Sequence, residues 1–196
     1  MESPPMLPPS GFLPRLGEGS YRGNAVVFWT HTLAGRATGW LTPNFHGVFR
    51  KTLLHAAVRE NLFCPVYTLM PDHVHLIWMG IADDSDQRLA TKFLRTQLTS
   101  VLHPHTWQHQ PHDRVLRDEQ RTKKAFAQTC EYILENPVRA GLIGRSAEWA
   151  YSGCIIPGYP TLHPCDLDFW EKFWKFYESA MKRGTLGKTK SDKPAV

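Results

Sequence analysis

The chain has 196 residues, of which 42% are apolar and 21% charged, enough for one well-buried domain and not the composition of a wholly disordered chain. No apolar run reaches the ~20 residues that span a bilayer, and the Pro-rich residues 1–10 lack the basic start and apolar core of a signal peptide. A cytoplasmic protein, associated with the nucleoid if it binds DNA, is therefore expected, with no membrane partner and no organic cofactor. The scattered Cys64, Cys130, Cys154 and Cys165 form no C-x-x-C pair and read as free thiols. The net charge of +5 is concentrated near the C-terminus in Lys182, Arg183, Lys188, Lys190 and Lys193. A basic end of this kind fits a polyanionic partner or a simply solvated tail.

Residues 1–20 are rich in Pro, Gly and Ser and are expected to form a flexible leader. Residues 25–33, AVVFWTHTL, are β-branched and aromatic and predict a strand. Phe45, Val48, Phe49, Leu53 and Ala56 recur at helical spacing and predict a helix over 44–60, with Pro43 near its start. Strands are expected at 62–70 and 73–79, separated by the Pro71-Asp72 turn. The acidic run Asp83, Asp84 and Asp86 offers N-cap chemistry for a helix over 87–102. A short strand at 112–116 and a helix over 122–136, ending near Pro137, complete the pattern.

The order β-α-β-β-α-β-α predicts an α+β, ferredoxin-like split βαβ domain over residues 21–153, an antiparallel sheet with helices on one face. Residues 154–183 read as a C-terminal extension in which Phe169, Trp170, Phe173, Trp174 and Tyr177 line an amphipathic helix. Residues 184–196 read as a disordered basic tail.

Two segments could carry chemistry. In Pro71-Asp72-His73-Val74-His75, residues two apart on a strand share a face, so His73 and His75 project together. That is either half of a divalent metal site or a pair of surface histidines. In the helix ending Glu131-Tyr132-Ile133-Leu134-Glu135-Asn136-Pro137, Tyr132 and Asn136 are four apart and share a face. Tyr132 is then a nucleophile, if a base or cation assists its ionisation, or an ordinary core-edge residue. Asn136 offers a carbonyl oxygen to an ion, or caps the helix end.

Together, the stretches YTLMPDHVHLIWMG, HDRVLRDEQ and YILENPVRAGLI, followed by Glu148-Trp149-Ala150-Tyr151-Ser152, resemble the REP-associated tyrosine transposases, single-domain transposases of the HUH class. The resemblance implies a metal-dependent enzyme that cleaves and rejoins single-stranded hairpin DNA through a 5′-phosphotyrosine link. It implies Tyr132 as nucleophile and His73, His75 and Asn136 as ligands of Mg²⁺ or Mn²⁺. It also leans toward a monomer. The chain departs from the pattern at Asp72, where the family often has Asn; a turn cap is the simplest role for it. A binder of hairpin DNA or RNA that no longer mobilises anything is the alternative reading.

DNA contacts are expected from Arg88, Lys92 and Arg95, a basic stripe at i, i+4, i+7, and from Arg114, Arg117, Arg121, Lys123 and Lys124. Arg139 in the Pro-Val-Arg-Ala-Gly block is a phosphate or structural candidate. Trp29, Trp40 and Trp107 could stack bases but fit a core as well. The histidine-rich residues 103–112, with two prolines, are expected to form a connecting loop.

Overall fold

The computed structural model describes residues 16–186. The expected leader up to residue 15 and the tail from residue 187 lie outside the described residues. Five strands, β1 (Val26–Thr32), β2 (Leu62–Leu69), β3 (His73–Gly80), β4 (His112–Val115) and β5 (Ser152–Ile155), form one sheet in the order β4-β1-β3-β2-β5. All neighbouring pairs are antiparallel. The helices are α1 (Pro43–Arg59), α2 (Gln87–Leu102), α3 (Lys123–Leu134), the short α4 (Asn136–Arg139) and α5 (Phe169–Leu186).

The crossovers follow from their caps. Thr42 accepts from the Phe45 amide and Pro43 occupies the first turn of α1. Asp86 accepts from the amides of Arg88 and Leu89 at the start of α2. Because β3 lies between β1 and β2, and β1 between β3 and β4, the β1-α1-β2 and β3-α2-β4 units interleave. This is the α+β split βαβ arrangement expected from the pattern. β3 also passes close to the chain before β1: a Cβ on Gly80 would stand 1.7 Å from the Gly23 carbonyl oxygen. Only glycine fits there.

Both faces of the sheet carry helices, which corrects the expectation of one. On one face Val27, Trp29, Tyr67, Leu69, Val74, Leu76 and Trp78 pack with the apolar stripes of α1 and α2. On the other, Val26, Phe63, Val66, Ile77 and Met79 pack with Phe126, Cys130 and Ile133 of α3 and Phe169 and Phe173 of α5. A strand buried from both sides reads as a continuous apolar run, and every residue of β2 is buried. Phe169 and Phe173 are thus core, Trp170, Trp174 and Tyr177 pack against it half-buried, and the extension is an integral layer.

Three boundaries move. β5 lies across the expected domain limit at 153. α5 continues through Leu186, into the expected tail. Glu18–Tyr21, which straddle the expected end of the leader at residue 20, form a short helical turn, with Tyr21 fully buried and Glu18 paired to Arg88. Trp29 and Trp40 are core. The four cysteines are free thiols, and burial raises those of Cys64 and Cys130 well above their ordinary range.

Candidate active site

His73 and His75 stand on β3 and alternate with Val74 and Leu76, whose side chains face α1 and α2. The histidines therefore project from the opposite face, the one on which α3 packs. Their Nε2 atoms are 3.0 Å apart. That is the spacing of neighbouring nitrogens on one ion bound at about 2.1 Å.

The remaining ring nitrogens are held from outside. His73 Nδ1 is 2.6 Å from Asp72 Oδ1, and Asp72 Oδ2 accepts from Arg36 at 2.8 Å. His75 Nδ1 is 3.0 Å from Thr30 Oγ1 on β1. The tautomers with Nδ1–H donated to Asp72 and to Thr30 are those in which both Nε2 atoms would offer lone pairs to an ion; otherwise the two Nε2 atoms are within hydrogen-bond distance of each other, one donating to the other. Burial, then the neighbouring His73 and Arg139 charges, hold the His75 pKa down at about 3. It is neutral at physiological pH, the state a metal needs. Partial burial would raise the Asp72 carboxyl, but hydrogen bonds from His73 and Arg36 outweigh it and keep it low. Asp72, expected as a turn cap, thus orients His73.

Tyr132 lies near the end of α3 and is 56% exposed. Its neighbours Phe126, Cys130 and Ile133 face the sheet, which turns the phenol outward. The Arg139 guanidinium covers its ring, carbon to centroid 3.8 Å. Arg139 also donates to the Tyr132 carbonyl at 2.7 Å and to Asn136 Oδ1 at 2.9 Å. Its charge reaches His75 and so links the tyrosine helix to the histidine pair.

Asn136 donates to the carbonyls of Tyr132 and Ile133 at the helix end. Its side chain is thus engaged as a cap, and its Oδ1 is engaged by Arg139. Among the described residues no group of three or more His, Cys, Asp or Glu gathers to hold an ion. The chemistry of two imidazoles suits a divalent ion, whereas the Asn136 amide, expected as a ligand, is engaged by the helix end and by Arg139.

The basic candidates divide between the layers. Arg88, Lys92 and Arg95 belong to α2, on the face away from the histidines. Arg88 pairs with Glu18, and Arg95 donates to the carbonyls of Gln108 and His109. Arg114 is on β4; Arg117, Arg121, Lys123 and Lys124 follow between β4 and the first turn of α3. Arg121 donates to the Asn24 carbonyl and Lys123 pairs with Glu178 of α5. They form no single patch. The residues missed from sequence are Asp72 as an orienting group, Arg36 and Thr30. Thr30 finds its role only through strand register.

No family model matches the chain. A Haemophilus influenzae REP-associated tyrosine transposase is 25% identical over 145 residues, covering 65% of this chain and 78% of that protein. The Escherichia coli REP-associated tyrosine transposase is 24% identical over 156 residues, covering 74% and 86%. In fold, a solved REP-associated tyrosine transposase bound to a REP hairpin matches with a TM-score of 0.60 at 22% identity, covering 72% of this chain and 81% of that one. In its motifs, in comparison with curated proteins and in its fold, the chain is similar to the REP-associated tyrosine transposases.

Proposed function

We propose that the protein is an HUH-type DNA strand transferase that cleaves and rejoins single-stranded hairpin DNA through Tyr132. The observation that carries this reading is the convergence of the His73 and His75 Nε2 atoms at 3.0 Å on the face where the tyrosine helix packs. The similarity to transposases, one of them solved with a REP hairpin, supports hairpin DNA as substrate.

A phosphodiester is anionic and resists attack by another oxygen. A divalent ion, Mg²⁺ or Mn²⁺, held by His73 and His75 would polarise a non-bridging phosphate oxygen. The chain's own groups do the rest. Asp72 and Thr30 fix the imidazoles, so the site needs little rearrangement. Arg139 orients the Tyr132 ring and adds positive charge beside the developing phosphorane. Tyr132 Oη gives its proton to water and attacks phosphorus; the bond to the 3′ oxygen breaks, and that oxygen takes up a proton from water as it leaves. The products are a 5′-phosphotyrosine and a free 3′-hydroxyl. The link conserves the ester, so a second 3′-hydroxyl can displace Tyr132 and rejoin the strand.

The test uses labelled single-stranded hairpins from palindromic repeats beside the gene, incubated with Mn²⁺ and resolved on a denaturing protein gel. A labelled band at protein mass with the wild type, absent with Tyr132→Phe or chelator, is the expected result. A retained native shift with no band in either protein would instead favour a binding protein without strand transfer.

A further inference from the structure

The register of the strands sets a row of polar side chains across the histidine-bearing face. His112 of β4 is opposite Thr30 of β1, and Thr30 is opposite His75 of β3. His75 is opposite Thr68 of β2, and Thr68 is opposite Ser152 of β5. Directly opposed residues in an antiparallel pair project to the same side. The two ends of the row differ. Thr68 and Ser152 are buried and bond each other at 2.9 Å. At the other end Thr30 is half-buried and His112 exposed, on an edge strand.

One pleat away, Arg114 of β4 is opposite Phe28 of β1. The Arg114 guanidinium lies over the Phe28 ring at 5.8 Å, and that ring stands 5.2 Å from the ring of His75. Flat groups therefore lead from the open edge of the sheet to the histidine pair. The intervening Asp113 points to the other face, where it accepts from the Tyr21 hydroxyl at 2.6 Å. The outward side chains of β4 on this face are thus His112 and Arg114, with no carboxylate between them.

We propose that this open half of the sheet is the track of the unpaired strand entering the cleavage site. A nucleobase beside the scissile phosphate stacks on Phe28 and Arg114, while Arg114 and His112 hold the phosphates beyond. A half-buried aromatic ring under a guanidinium suits a base whose face is free, which a duplex does not offer. The charge is complementary to a phosphate backbone, and the surface is continuous with the histidine pair. The α2 stripe cannot serve the same nucleotides, because it lies in the opposite layer. Only the position of the scissile phosphate rests on the proposed strand-transfer reading.

The experiment follows the fluorescence anisotropy of labelled dT12 with the full chain in EDTA, where binding needs neither an ion nor Tyr132. The paired variant His112→Ala/Arg114→Ala changes exposed side chains and should weaken binding about tenfold, lowering the salt slope by about 1. Phe28→Leu keeps an apolar side chain and should weaken binding several-fold with the slope unchanged. Lys175→Ala, on the outer face of α5, should match the wild type. Unchanged affinity in the paired variant overturns the proposal, as does failure of the wild type to bind dT12 or an equal loss in Lys175→Ala. Adduct formation in Mn²⁺ is scored separately. Its absence with dT12 binding intact and sensitive to Arg114 defeats the strand-transfer reading and leaves the track standing.

Discussion

The Arg139 guanidinium lies over the ring of Tyr132, its carbon 3.8 Å from the centroid. The same side chain donates to the Tyr132 carbonyl and to Asn136 Oδ1. One arginine thus joins the phenol, the helix end and, by its charge, His75.

Arg139→Ala is expected to slow adduct formation roughly 100-fold, the scale on which small misplacements of reacting groups cost rate. Hairpin affinity should fall only a few-fold, since most phosphate contacts remain. Single-turnover adduct yield against a gel-shift titration separates the two. An equal loss in both would make Arg139 a plain phosphate contact.

Asp72 should matter through His73. Removing an outer partner of a metal-binding histidine typically costs about 10–100-fold in metal affinity or activity. Asp72→Ala is therefore expected to raise the Mn²⁺ concentration needed for half-maximal adduct by about that factor. Asp72→Asn keeps a carbonyl acceptor for Nδ1–H and should be milder. Arg36→Ala should be milder still, because the Arg36 side chain is exposed and acts on His73 through its ion pair with Asp72. A Mn²⁺ titration of the three variants gives the order.

These roles were legible to different degrees. The His73-Val74-His75 alternation alone places both imidazoles on one face, because a strand has period two. The partner of His75 was not legible. Thr30 is forty-five positions away in sequence, and only the β1–β3 register brings it opposite. β5 was missed because Ser152-Gly153-Cys154-Ile155 has no alternation and includes a glycine. Its strand character comes from pairing with β2. The second helical layer had a signal in the unbroken apolar run of β2, but an apolar run alone does not say which helix covers it.

A pH effect on stability follows from the other face. His46 on α1 bonds the Tyr67 hydroxyl at 2.9 Å, and Arg50 donates to the same oxygen. Burial, then the Arg50 charge, lowers the His46 pKa from 6.5 to about 4. Between those values the unfolded chain holds a proton that the folded chain does not. Stability is therefore full above the unfolded value and falls as pH drops toward the folded one. His46 keeps some solvent contact, so the ~1.4 kcal/mol per unit is screened to on the order of 1 kcal/mol in total. Urea unfolding at pH 7.5 and pH 4.5 should show this extra loss in the wild type and not in His46→Gln.

The last prediction concerns α5. Phe169 and Phe173 are fully buried against α3 and the sheet. Truncating either to alanine should cost about 3–5 kcal/mol, a large share of the ~5–15 kcal/mol that holds a domain together. Tyr132→Phe, which deletes one hydroxyl from an exposed ring, should leave stability within ~0.5 kcal/mol. If α5 were a separable extension, Phe173→Ala would leave the midpoint of urea unfolding unchanged and add only a small early transition. Because Phe173 shares its cluster with Phe63 and Ile77 of the central strands, the whole transition should shift as one. Circular dichroism and intrinsic fluorescence, followed together through urea, distinguish a single shifted transition from two.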